Sequence, residues 1–97
     1  MMKDKLDKIT VNFEREDSDG VQSKVWVMGK VLNFRNGKAR RMIAPDIRYV
    51  IEWYMKGNAG DTLSISRTAG GETKKIVDGS TIPSGNSSWQ DYTVDEV

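Results

Sequence analysis

"APDIRYVIEWYMKGN", residues 44–58, is the stretch on which the fold depends. Pro45 suits the first position of a helix, Asp46 complements its positive end, and Ile47, Val50, Ile51, Tyr54 and Met55 recur at spacings of three and four. Arg48 with Glu52 and Glu52 with Lys56 then form i,i+4 pairs on the outer side, and Gly57 falls where a left-handed cap belongs. The spacing predicts one helix, ending at Gly57, that lays an apolar stripe on a sheet.

On either side of it the chain reads as strands. In "KITVNFE" (8–14) Ile9, Val11 and Phe13 alternate with polar residues, and after Asp19-Gly20 the alternation resumes through Val21, Val25 and Val27, predicting a first hairpin. Gly29 reads as a bulge or bend inside the strand pattern. "KVLNFR" (30–35) runs into Asn36-Gly37, the strongest short turn signal in the chain, with Lys38–Ile43 as the return strand. After the helix, "DTLSISR" and "ETKKIV" form a third hairpin. Residues 78–88, rich in Gly, Ser, Thr and Asn, read as a loop, and "WQDYTVDEV" supplies either an edge strand through Gln90, Tyr92 and Val94 or a frayed end. The expected fold is α+β: a mostly antiparallel sheet of about five or six strands with one helix on its face, in the order ββββαββ. Residues 1–77 make one compact domain on this reading, followed by the segment 78–97.

Composition bounds the chemistry. The chain has 97 residues, 37% of them hydrophobic and 30% charged, with three Trp, three Tyr and two Phe, enough for one small core. It has no cysteine, which removes disulfides, thiolate metal sites and a cysteine nucleophile, and no histidine, which removes the commonest proton carrier near neutral pH. These absences favour a non-catalytic protein without a cofactor. "REDSDG" lacks the third oxygen position and the downstream glutamate of a calcium loop and reads as an acidic turn, so no metal site is expected. No apolar run approaches the roughly 20 residues needed to cross a bilayer, and "MMKDKLDK" has no secretory core, so a cytoplasmic protein is expected.

The net charge of +1 conceals a separation of charge: between Asp19 and Asp46 stand Lys24, Lys30, Arg35, Lys38, Arg40 and Arg41, with no acid among them. A two-residue turn at Asn36-Gly37 sets Arg35 opposite Lys38 and Asn33 opposite Arg40, on one face of a hairpin. Like charges across a strand pair destabilise it unless an anion sits against them. The first functional expectation is therefore a phosphate-bearing ligand, nucleic acid or nucleotide, held by Lys30, Arg35, Lys38, Arg40 and Arg41 with Trp26 as a stacking ring. The bland alternative is a solvated edge guarded by cations. The second expectation is a protein-binding module, an inhibitor, adaptor or assembly component. It would meet an acidic protein surface or a second copy of the chain through an edge strand or through the helix flank of Tyr49 and Trp53.

The succession "VLNFRNGK", a helix from Pro45, "GNAGDTLSISR" and "GGETKKIV", residues 31–77, resembles the second half of bacterial PDZ domains. That resemblance implies a peptide groove between strand and helix. The stretch between Gly20 and Asn36 lacks the glycine-rich carboxylate-binding loop, so no peptide-binding residue is carried over.

Overall fold

A computed structural model describes residues 7–97. Its eight strands are β1 (Ile9–Asp17), β2 (Gln22–Val27), β3 (Lys30–Val31), β4 (Lys38–Ile43), β5 (Arg48–Lys56), β6 (Thr62–Ala69), β7 (Glu72–Thr81) and β8 (Ser88–Glu96). They form two four-stranded antiparallel sheets, the first in the order β4-β1-β6-β7 and the second in the order β3-β2-β5-β8. The architecture is all-β, and the described residues contain no helix.

The expected helix is β5, a central strand of the second sheet flanked by β2 and β8. Tyr49, Ile51, Trp53 and Met55 are buried, while Val50, Glu52, Tyr54 and Lys56 face the other way. This is period-2 alternation, and the run of aromatic and β-branched side chains fits a pleated sheet better than a helix. The helical spacing arose because the strand carries apolar residues on both faces, so that Val50 and Tyr54 on one side interleave with Ile51 and Met55 on the other. Pro45-Asp46 opens no helix: it turns the chain between β4 and β5. Proline supplies the first turn position, and Asp46 takes φ 63° and donates its N–H to the Val97 carbonyl at 2.7 Å. Gly57 makes no left-handed cap either. A β-carbon there would lie 2.5 Å from Asp61 Oδ2, so a side chain at this position would displace the Asp61 carboxylate. Without the helix, the resemblance to PDZ domains lapses.

The hairpins also change partners. β1 and β2 lie in different sheets, with β1 between β4 and β6 and β2 beside β5. The Asn36-Gly37 turn forms with both φ values positive, at 53° and 77°, but only Arg35 and Lys38 bridge across it before β4 departs to pair with β1. Met28-Gly29 is a second tight turn, joining β2 to β3, where the sequence suggests a bulge. Asp78–Thr81 continue β7 past irregularities in its register with β6, and β8 pairs with β5 over all nine of its residues.

The inner faces enclose one core that includes Val11 and Phe13 of β1, Val25 and Val27 of β2, Ile51, Trp53 and Met55 of β5, and Leu63 and Ile65 of β6. Within it sits a polar cluster joining the sheets. Tyr49 and Arg67 donate to the same Asp95 oxygen, Oδ2, each at 2.7 Å, and Arg67 also donates to the Glu96 carbonyl at 3.0 Å. Lys74 approaches Asp95 Oδ1 at 3.4 Å from the rim. Arg67 is 5% and Asp95 3% exposed, a burial tolerated only because each charge meets its opposite and its hydrogen bonds are filled.

Candidate functional site: the outer face of the second sheet

The outward residues of β2, β5 and β8 fall into rows fixed by register. Trp26 stands beside Glu52 and Glu52 beside Tyr92; Lys24 stands beside Tyr54 and Tyr54 beside Gln90; Val50 stands beside Val94. Met28, whose N–H donates to the Val50 carbonyl at 3.0 Å, and Val31, paired with Trp26, extend the surface toward β3. Among the described residues the large apolar side chains left exposed are Met28, Val31, Met42, Val50, Tyr92 and Val94. All but Met42, which lies on β4, sit on this face. With the half-buried rings of Trp26 and Tyr54 they form an apolar and aromatic surface around the central carboxylate of Glu52, bordered by Lys24, Lys56, Gln22 and Gln90. A hollow of about 380 Å³ lined by Gln22, Ser23, Lys24, Trp26 and Tyr54 indents it.

The cations of the 30–41 stretch are dispersed. Arg35, Lys38 and Arg40 gather with Asn12 and Ala39 around a hollow of about 290 Å³ at the β4 edge of the first sheet. Among the described residues no carboxylate lies within ion-pair distance of these three cations, although register places Glu14 beside Lys38. Arg41 points away from them. Its guanidinium donates to the Val27 carbonyl at 3.0 Å and the Val31 carbonyl at 3.1 Å, so it closes the edge of the second sheet, and with Lys30 it lines a separate hollow of about 390 Å³. Lys30 lies on the second sheet, paired with Val27. Trp26 belongs to the outer face of the second sheet and the three grouped cations to the first, so stacking ring and phosphate contacts do not form one surface.

Tyr49 and Trp53 are corrected most sharply. Both rings are in the core, 3% and 4% exposed, with Trp53 Nε1 donating to Ser80 Oγ at 2.9 Å. The i,i+4 flank of a helix becomes two inward positions of a strand, because a spacing of four is also a multiple of the strand period of two. The rings that reach the surface on β5 and β8 are Tyr54, expected in the apolar stripe that the helix buries, and Tyr92, expected on a C-terminal edge strand or frayed end. Tyr92 had a signal, its alternation with Gln90 and Val94; what was lacking was the adjacency of β2, β5 and β8.

Burial alone would raise the Asp95 carboxyl, but the hydrogen bonds from Arg67 and Tyr49 outweigh it and hold the group below the ordinary carboxylate range. Burial, followed by the bond to Asp95, pushes the Tyr49 phenol above its usual value. These groups brace the fold with their hydrogen bonds filled, and Arg67 also borders a hollow of about 260 Å³ that includes Ile9, Glu72 and Glu96 in its lining. No group of three or more Asp or Glu is placed to hold a metal ion among the described residues, and no helix there is long and apolar enough to cross a membrane. No family model, curated protein or solved structure matches the chain, so the functional reading rests on its own geometry.

Proposed function

We propose that the protein is a non-catalytic interaction module whose outer β2-β5-β8 face receives an apolar surface of another protein. One observation carries this reading: five exposed apolar side chains and two partly exposed rings, drawn from strands far apart in sequence, converge on one sheet face, while among the described residues the first sheet leaves one large apolar side chain, Met42, exposed. A soluble domain gains nothing in stability from exposed Tyr92, Val94 and Val50, and contiguous surfaces of this kind mark interfaces. Trp26 and Tyr54 supply the rigid, amphipathic anchors that dominate such contacts. The test is affinity capture from the native host by wild-type protein and by Val50→Asp and Trp26→Ala. A partner retained at moderate salt by wild type, and lost from both variants with the fold intact by circular dichroism, supports the reading; capture unaffected by either substitution refutes it.

A second reading is favoured by the unpaired cluster of Arg35, Lys38 and Arg40. These three, with Asn12, would receive a phosphate-bearing ligand, with affinity falling steeply as salt rises. Arg35→Glu combined with Arg40→Glu should abolish retention on an oligonucleotide column; unchanged retention would remove this reading.

A further inference from the structure

A two-sheet sandwich has four edges, and three of them are protected. β3 is two residues long, and Arg41 donates to its Val31 carbonyl and to the Val27 carbonyl of the adjoining β2. On β4 the Lys38 backbone is bridged by Arg35, and Lys38 and Arg40 line the strand. β7 is irregular in its pairing with β6 between Leu63 and Ser66 and carries Lys74 and Lys75. Short strands, cations and bulges are the devices that keep sheet edges from pairing with other chains. β8 is the least guarded: "SWQDYTVDE" contains no Lys, Arg or Pro and runs in unbroken register with β5, and its charges are the carboxylates Asp91, Asp95 and Glu96, of which Asp95 is neutralised by Arg67.

The open side of β8 follows from the ladder. Met28 N–H reaches the Val50 carbonyl, so the even residues of β5 bond toward β2 and the odd ones toward β8. The odd residues of β8 therefore satisfy β5, and Gln90, Tyr92 and Val94 turn their N–H and C=O groups outward. Glu96 shows the same parity, its carbonyl taken by Arg67. The Tyr92 N–H is met only locally, by Asp91 Oδ1 at 2.8 Å.

We infer that β8 pairs antiparallel with β8 of a second copy of this chain, with Tyr92 opposite Tyr92 on the two-fold axis. Charge selects this register. It sets Asp91 opposite Thr93, Asp95 opposite Trp89 and Gln90 opposite Val94 of the second copy, so no carboxylate opposes another. Sliding by one pairing step in one direction sets Asp91 against Asp91, and in the other Asp91 against Asp95, and like charges directly opposed are destabilising. The two second sheets then become one continuous sheet, and their aromatic faces join into a single surface with Tyr92 at its centre. An isologous pairing of this kind closes on itself and leaves no further open β8 edge.

The inference is independent of which protein the aromatic face binds, and the test keeps the two apart. The chain has no cysteine, so introduced thiols report one contact each. Opposed residues that exchange hydrogen bonds lie about 5.5 Å apart at Cα, within disulfide reach. Oxidation should convert Tyr92→Cys to a covalent dimer, and a mixture of Gln90→Cys and Val94→Cys to a mixed dimer, while Val50→Cys, in the middle of the same face, stays monomeric. Sedimentation should show a dimer for wild type, with the dissociation constant raised about tenfold or more by Thr93→Asp, which opposes Asp91 twice across the axis. Val50→Asp should leave the dimer intact while losing the captured protein. A monomer at all concentrations, or crosslinking at Val50→Cys in place of Tyr92→Cys, would overturn the pairing.

Discussion

Asp95 is the residue on which the two sheets depend most. Removing its carboxylate in Asp95→Ala strands Arg67 in the core, an uncompensated buried charge that costs about 3–5 kcal/mol, measurable as a fall in the urea midpoint. Tyr49→Phe removes one of the hydrogen bonds to Asp95 and should cost about 1–2 kcal/mol. The pH dependence follows in sign. The Asp95 carboxyl is held below its unfolded value, so its contribution is complete above an ordinary carboxylate pKa, about 4, and is lost as pH falls through the lower folded value. Stability should therefore decline in acid, and Asp95→Asn should show less of that decline. None of this was legible beforehand. Arg67 ends "DTLSISR" and Asp95 sits in the terminal "VDEV", and nothing in either segment announces a partner across the core. Met28 is a second residue-scale case: it holds φ 55° without being glycine, so Met28→Asn, creating an Asn-Gly turn, should raise stability by up to about 1 kcal/mol in chemical denaturation.

At the scale of the element, β5 shows why periodicity misled. A strand with one apolar face declares its period, but one that buries Tyr49, Ile51, Trp53 and Met55 and also presents Val50 and Tyr54 to the surface mixes two registers into an apparent helical stripe. The residues that disguised the strand are those of the candidate site. Two substitutions separate its faces. Trp53→Ala, in the core, should cost about 3–5 kcal/mol, whereas Trp26→Ala, on the outer face, should cost far less and act on partner capture. Arg41 offers a parallel test on β4. Arg41→Ala should speed hydrogen exchange along β2 and β3 by uncovering the Val27 and Val31 carbonyls, yet leave oligonucleotide retention unaltered.

For the whole molecule, the sandwich divides two chemistries that the sequence interleaves. The grouped cations lie at the edge of the first sheet and the rings on the outside of the second, so salt and apolar substitution should act on separate binding events. Raising ionic strength should weaken any anion bound near Arg40 without releasing a protein held at Trp26, and titration of each ligand at two salt concentrations checks it. A single site containing Trp26 and Arg40 together would require the opposite result, with both activities failing in parallel.

The sequence by itself determined local matters: the strands around Val11, Val25 and Ile65, the Asn36-Gly37 turn, the Trp26 face opposite Val25 and Val27, and the absence of cysteine and histidine chemistry. Each depends on neighbours along the chain, through side-chain alternation or the φ values a residue tolerates. Tertiary structure decided what β5 is, where Arg41 points, and that Trp26, Tyr54 and Tyr92 share a surface. Those outcomes depend on which strands lie side by side, and strand pairing is fixed by burial shared across the whole core, which no local pattern encodes.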